Sequence, residues 1–255
     1  LCADATRDPW PEGVARRVLP SVDSTNAEAA RLAAEMAGPC WVLGLEQTGG
    51  RGRRGRPWVS PKGNFYATLL MHPTEAPDVV ALRSFAAALA LRDALVGITG
   101  LPDAFQLKWP NDVLLNGGKL AGILLESAGQ GGRVGHLAIG IGVNLISAPD
   151  PATVEPGAVA PVSLLSEIGL RVTPEAFLDR LAPAYARREA VFVRDGFAPL
   201  REAWLAHAAR LGEPIRARTG TRTDEGVFET IDASGALVLR QPDGRLAIPA
   251  AEVFF

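Results

Sequence analysis

Lys108-Trp109-Pro110-Asn111-Asp112-Val113-Leu114-Leu115-Asn116-Gly117-Gly118-Lys119-Leu120-Ala121-Gly122-Ile123-Leu124-Leu125 contains two short apolar runs and two different kinds of turn. Val113 to Leu115 and Leu120 to Leu125 flank Asn116-Gly117-Gly118, whose glycines tolerate the positive φ that a tight hairpin needs. The spacing predicts a β-hairpin with Lys119 just past its turn. Phe105 to Trp109 reads as a strand entering it, broken at Pro110-Asn111-Asp112, where a rigid step can leave polar groups at the rim of a sheet.

Working toward the N-terminus, Val79 to Leu95 reads as one long apolar helix, and Asn64 to Leu70 and Trp41 to Leu45 as strands. Thr25 and Glu28 have capping-box spacing, and the alanine-rich run from Ala27 to Ala37 stops at Gly38-Pro39, which predicts a helix with Ser24-Thr25-Asn26 at its mouth. Toward the C-terminus, Gly129 to Gly132 marks a turn. His136 to Leu145 follows as a strand whose Gly140 and Gly142 permit close backbone approach, as a pocket wall would require. Ser147 to Pro161 has four prolines and no periodicity, the pattern of a ligand-ordered flap. Helical patterns cover roughly Pro174 to Arg194 and Pro199 to Arg210. Short alternating segments then follow: Ile215 to Arg218, Gly226 to Ile231, Ala236 to Arg240 and Arg245 to Ile248, enough for a small barrel or sandwich.

Composition sets limits on function. The 255 residues are 47% hydrophobic with 27 glycines and 20 prolines, which suits a loop-rich α and β protein with an ample core. A net charge of -2 offers no global attraction to nucleic acid or an anionic membrane, so a polyanion site has to be local. Two cysteines, Cys2 and Cys40, make neither a disulfide framework nor a zinc site. With no secretory signal pattern in Leu1 to Pro11 and no long apolar run, a cytoplasmic protein without a membrane partner is expected.

A local polyanion site has an obvious candidate. Arg51, Arg53, Arg54 and Arg56 alternate with Gly52 and Gly55, so the cations repel one another unless solvent or an anion screens them, and the glycines let N–H groups approach a phosphate. A solvated basic loop and an RGG-like nucleic-acid contact fit the same residues. Lys119 beside two glycines is suited to phosphate oxygens, whereas Trp109 and Pro110 read as structural. Gly140-Ile141-Gly142-Val143-Asn144 lacks the third glycine and following helix of a dinucleotide fingerprint, and the arginine loop lacks the GK[ST] ending of a P-loop. His72, His136 and His207 have no nucleophile partner in sequence, and Ser60 and Ser84 lie outside a G-x-S-x-G setting, so hydrolase chemistry has no anchor.

Taken together, Ser24-Thr25-Asn26, Gln47, Gly50 through Arg56, Trp58, Lys108 through Asp112, Lys119 and Asn144 resemble the biotin–protein ligases in order and spacing. The resemblance implies an α+β fold: a mixed-sheet core of the biotin/lipoate ligase type over residues 1–210 and a small SH3-like β-barrel over 211–255. It also implies a two-step reaction, in which biotin is activated by ATP with Mg2+ to biotinyl-5'-AMP and then passed to a lysine of a biotin carboxyl carrier protein or domain of a carboxylase. Ser24, Thr25, Asn26, Gln47, Gly50, Arg51, Gly52, Arg53 and Lys119 would meet biotin. Arg51, Arg53, Arg54, Arg56, Trp58, Asn111, Lys119 and Asn144 would meet ATP or the adenylate. Arg53, Lys119 and Asp112 would carry the chemistry, Asp112 near the metal or the acceptor lysine.

Larger members of that family carry a DNA-binding domain ahead of the same core. Only 23 residues precede Ser24, so no sequence-specific DNA binding is expected. A homodimer is compatible with the resemblance. Two other functions fit parts of the sequence. A lipoate or octanoate ligase or transferase would share the fold but prefer an apolar pocket end to Thr25, Asn26 and Gln47. A nucleic-acid-binding module would use the arginine loop, against the near-neutral total charge.

Overall fold

The computed structural model describes residues 8–155, 157–220 and 222–255. Its larger sheet has seven strands: β1 Ala15–Leu19, β2 Cys40–Gly44, β3 Phe65–Met71, β4 Phe105–Lys108, β5 Asp112–Leu115, β6 Gly118–Gln130 and β7 Arg133–Val143. They lie in the order β1-β2-β3-β7-β6-β5-β4. β1 runs parallel to β2 and every other neighbouring pair is antiparallel, so the sheet is mixed.

The two faces of this sheet follow from side-chain alternation. Trp41 and Leu43 of β2, Phe65, Ala67 and Leu69 of β3, and Leu137, Ile139, Ile141 and Val143 of β7 all point into one large apolar core. Their alternates Cys40, Val42, Leu70 and Ala138 face a smaller cluster with Ala29 and Leu32 of the first helix. Among the described residues there are six α-helices: α1 Thr25–Leu32, α2 Pro77–Ala81, α3 Arg83–Thr99, α4 Leu164–Ile168, α5 Pro174–Asp195 and α6 Phe197–Leu205. α3 and α5 cover the large-core face. α1 covers only part of the opposite face, and the remainder is the floor of a cavity.

The hairpin at Asn116-Gly117 forms as expected, with Asn116 at φ 50 and Gly117 at φ 82. Some boundaries differ from the sequence reading. Ser24, not Thr25, caps α1, its Oγ accepting from the Ala27 N–H, and the helix stops at Leu32 rather than continuing to Ala37. The apolar run from Val79 to Leu95 is two helices that meet at Leu82. β1 was unforeseen because its ARRVL sequence is largely exposed and carries no alternation. The described residues of Ser147 to Pro161 include a 3-10 turn, Pro151–Thr153, and the segment meets the sheet where the Lys119 N–H donates to Ala160 O at 2.8 Å.

The C-terminal unit is a five-stranded antiparallel sheet, β8 Pro214–Thr219, β9 Arg222–Ile231, β10 Leu237–Gln241, β11 Gly244–Ile248 and β12 Glu252–Phe254. Its order is β11-β10-β9-β8-β12, consistent with an SH3-like barrel. It shares the large core: Phe228 packs edge-on to Trp204 of α6, and Trp109 Nε1 donates to Gly235 O at 3.1 Å. Among the described residues no helix is long and apolar enough to cross a membrane.

Candidate functional site

The cavity encloses about 590 Å³ on the sheet face that α1 leaves open. Its floor is flat because Gly122 of β6 pairs with Gly142 of β7, and Gly140 lies two residues further along β7. The absence of side chains there is a packing requirement. A Cβ on Gly142 would come within 2.7 Å of the Trp58 indole, one on Gly122 within 3.3 Å of the same ring, and one on Gly140 would run into the Asn26 amide. The sequence pointed to Gly140 and Gly142 as a pocket wall; Gly122, inside an apolar strand, gave no such signal.

One end of the cavity is neutral and rich in hydrogen bonds. The Thr25 N–H donates to Gln47 Oε1 at 2.9 Å, and Gln47 Nε2 donates to Ser60 Oγ at 2.9 Å. Thr68, beneath α1 on β3, has its hydroxyl 2.8 Å from Thr25 Oγ1 and 2.6 Å from Asn26 Oδ1. Asn26 Nδ2 donates to Glu126 Oε2 at 2.7 Å and to Leu124 O at 3.3 Å. Ser24, Thr25, Asn26 and Thr68 are all buried, so this network is fixed by the fold.

The other end is cationic. Asp112, buried at the start of β5, has Oδ1 2.7 Å from Lys119 Nζ, off the direction of a hydrogen bond, and Oδ2 3.9 Å from Lys108 Nζ. Burial pushes the Lys108 ammonium below the usual lysine range despite the nearby Asp112 carboxylate. Burial, with the neighbouring Arg54 charge, also pulls Arg53 down. Arg53 Nη1 reaches Ala251 O at 3.3 Å and Asn111 Oδ1 at 3.5 Å. Three cations around one carboxylate leave a buried positive excess, an environment that favours an anionic ligand.

At the mouth, the arginine loop meets carboxylates from two other segments. Arg54 Nη1 donates to Glu252 Oε2 at 3.1 Å, Arg56 pairs with Glu252 and with Glu155, and Arg218 bridges the same two glutamates at 2.8 and 2.6 Å. Burial raises the Glu252 pKa, but hydrogen bonds from Arg218 and Arg56 outweigh it and hold the carboxyl below its ordinary value. β12 and the flap-like segment are therefore walls of the site, and Glu155, Glu252, Val253 and Phe254 line it.

Most of the residues singled out in the sequence come together here. Ser24, Thr25, Asn26, Gln47, Arg51, Gly52, Arg53, Arg54, Arg56, Trp58, Lys108, Asn111, Asp112, Lys119 and Asn144 all line the cavity. Gly50 does not line it; its carbonyl accepts from the Trp58 N–H at 2.9 Å and closes the base of the loop. Asn111 Nδ2 and Asn144 Nδ2 are already used, donating to Ile123 O at 2.7 Å and Val162 O at 3.0 Å. None of the three histidines lines the cavity. Sequence reasoning missed Thr68 and Glu126, which sit at ordinary strand positions, and Glu252, on a three-residue strand.

A glycine-floored cavity on a mixed sheet, closed by a small β unit, defines the class of this protein, and known proteins share its sequence and fold. The model of the Biotin/lipoate A/B protein ligase family matches residues 18–144, and that of the Biotin protein ligase C terminal domain matches residues 211–255. A biotin--[acetyl-CoA-carboxylase] ligase of Paracoccus denitrificans is 60% identical over 93% of this chain and 99% of its own length. A bifunctional ligase/repressor of Bacillus subtilis is 30% identical over 83% of this chain and 65% of its own length. Among solved structures, a biotin protein ligase from Aquifex aeolicus in complex with biotin and ATP superposes with a TM-score of 0.80 at 25% identity, covering 94% of this chain and 97% of that one. The chain belongs to the biotin protein ligase family.

Proposed function

We propose that this chain activates biotin with ATP and transfers it to a lysine of a biotin carboxyl carrier protein or domain of a carboxylase. The observation that carries this reading is the division of one cavity into a neutral hydrogen-bonding end, with Thr25, Asn26 and Gln47, and a cationic end, with Arg53, Lys108 and Lys119. A cyclic urea with a carboxylated tail needs both. Its carbonyl and N–H groups must recover the hydrogen bonds they lose from water, and its carboxylate must approach a phosphate that repels it. The 60% identity to the Paracoccus ligase supports the same substrate pair.

In the first step a carboxylate oxygen of biotin forms a bond to the α-phosphorus of ATP, and pyrophosphate leaves with the electron pair of the broken P–O bond. Arg53 and Lys119 would hold the carboxylate and α-phosphate together and offset their repulsion, and Arg51, Gly52 and Gly50 would shape the loop around them. Trp58 over its glycine floor, with Asn111 and Asn144 beside it, would border the adenosine. Arg54 and Arg56 would exchange glutamate for phosphate oxygens. Asp112 Oδ1, which faces the Lys119 ammonium at 2.7 Å, would hold Mg2+ only once Lys119 has turned to a phosphate. When bound, that ion would neutralise phosphate charge. In the second step the neutral amine of the acceptor lysine attacks the acyl carbon, AMP leaves, and the amine loses a proton. The cytoplasm, with its ATP and carboxylases, is where this would run.

Biotin-dependent pyrophosphate release from ATP, followed by label transfer to a biotin-acceptor domain with and without its target lysine, tests the reading. Release and lysine-dependent transfer are expected. Release driven by lipoate or octanoate instead of biotin would replace it.

A further inference from the structure

The geometry points to Glu126 as a positioning residue that sets the hydrogen-bond polarity of the neutral end of the cavity, and so selects a cyclic urea over an acid lacking one. This inference rests on the biotin-ligase reading and extends it to a side chain outside the cavity lining.

The argument starts from the amide of Asn26. It lies across three strands, over Gly140 of β7, with the cross-strand neighbours of that glycine, Thr68 of β3 and Leu124 of β6, on either side. An Asn side chain can sit in either of two orientations, and its surroundings decide which. Here one amide terminus faces two acceptors that cannot donate, the Glu126 carboxylate at 2.7 Å and Leu124 O at 3.3 Å. Reversing the amide would press Oδ1 against both, so Nδ2 is held outward and Oδ1 inward. Oδ1 only accepts, so the Thr68 hydroxyl at 2.6 Å gives it its hydrogen, leaving Thr68 Oγ1 an acceptor toward Thr25 at 2.8 Å. A carboxylate outside the cavity thus fixes the donor and acceptor positions of two groups at its neutral end, the Asn26 amide and the Thr68 hydroxyl, while the Thr25 hydroxyl lies between Thr68 Oγ1 and Gln47 Oε1, the latter at 3.1 Å.

The carbonyl of Leu124 alone, at 3.3 Å, is a weak constraint. Without Glu126 the amide becomes free to reverse, and a urea ring meets a mixture of polarities. Glu126 also lies 3.8 Å from Arg51 Nη2, with both side chains close to half exposed. That separation and exposure make the pair a weak one. A variant that keeps the acceptor and removes the charge separates the two roles.

The test is steady-state pyrophosphate release by the full chain carrying Glu126→Ala, Glu126→Met or Glu126→Gln, with biotin and ATP varied separately and thermal melts recorded alongside. Met preserves side-chain bulk without an acceptor, so it stands in if the Ala variant folds poorly. Gln can offer Oε1 to Asn26 in place of the carboxylate. Expected is a KM for biotin raised about tenfold or more in the Ala and Met variants, a near wild-type KM for ATP, and recovery to within about threefold by Gln. Equal impairment of Gln and Ala would overturn the proposal in favour of the Arg51 pair. Parallel rises in both KM values with a lowered melting temperature would overturn it in favour of a merely structural role. A wild-type protein with no biotin-dependent release overturns the functional reading itself. Release by wild type with no change in the variants overturns only the role of Glu126.

Discussion

Lys119 and Lys108 share one buried carboxylate but are not equivalent. Lys119 Nζ is 2.7 Å from Asp112 and its side chain is 30% exposed toward the cavity, whereas Lys108 is 3.9 Å away and 9% exposed, with its ammonium 5.5 Å from the Phe255 ring. Lys119 is therefore the cation free to turn toward a phosphate. Replacing it with Ala is expected to slow adenylate formation by about 100-fold or more, the scale of losing a preorganised charge. A rapid-quench pyrophosphate burst of normal rate in Lys119→Ala would refute that role. On the floor, Gly142→Ala forces a methyl to within 2.7 Å of the Trp58 indole. Moving the ring should cost about 1–3 kcal/mol of stability and raise the KM for ATP well above that for biotin. Equal effects on the two substrates would place adenosine elsewhere.

At the level of single elements, the entry to α1 is held by charge as well as by its cap. Asp23 accepts from the Ser24 N–H at 2.8 Å and from two Arg31 nitrogens at 3.0 and 2.6 Å, and the Arg31 hydrogen bonds, then the Ser24 N–H, hold its carboxyl down at about 2. A depressed folded-state value means that the contribution is fully present above the unfolded carboxyl's pKa and fades as pH falls from about 4 toward 2. Both side chains are more than half exposed, so the effect is small. Denaturant midpoints for wild type and Asp23→Asn should differ modestly at pH 6, keep about half of that gap at pH 3 and converge near pH 2. A gap that widens on acidification would contradict the assignment.

The same scale explains what could be read from sequence alone. The hairpin was legible because Asn116-Gly117 needs positive φ, and β2, β3 and β7 because they are apolar and bounded by turn residues. The arginine loop was legible because four clustered cations demand a counter-charge. β1 and β12 were not, being a polar edge and a three-residue pairing whose partners lie far away in sequence. The break at Leu82 is hidden inside a continuous apolar run. Thr68, Glu126 and Glu252 act through neighbours that only the register of the sheets supplies, so no spacing rule reaches them.

For the molecule as a whole, the question is whether residues 211–255 are an appendage or part of the same folding unit. An appendage would leave the rest of the chain with its own closed core. Instead Trp204, 1% exposed, lies against Phe228; Trp109, 3% exposed, gives its Nε1 hydrogen to Gly235 O; and Gly235 packs so closely that an added Cβ would sit 2.9 Å from Leu82 and 3.0 Å from Phe85. Removing the unit would bare two tryptophans and part of Phe85, a loss of roughly 3–5 kcal/mol at about 25 cal/mol per Å² of apolar surface. For a chain of this size that corresponds to a fall in melting temperature of about 10 °C or more. It would also free Arg53, Arg54 and Arg56 from their partners on Ala251 and Glu252, altering the site together with the core. Calorimetry of the full chain should therefore record a single transition, and a chain ending at Arg210 should melt at markedly lower temperature. Two separate transitions in the full chain, or a truncated chain as stable as the intact one, would mean that these contacts are adjacent without being coupled.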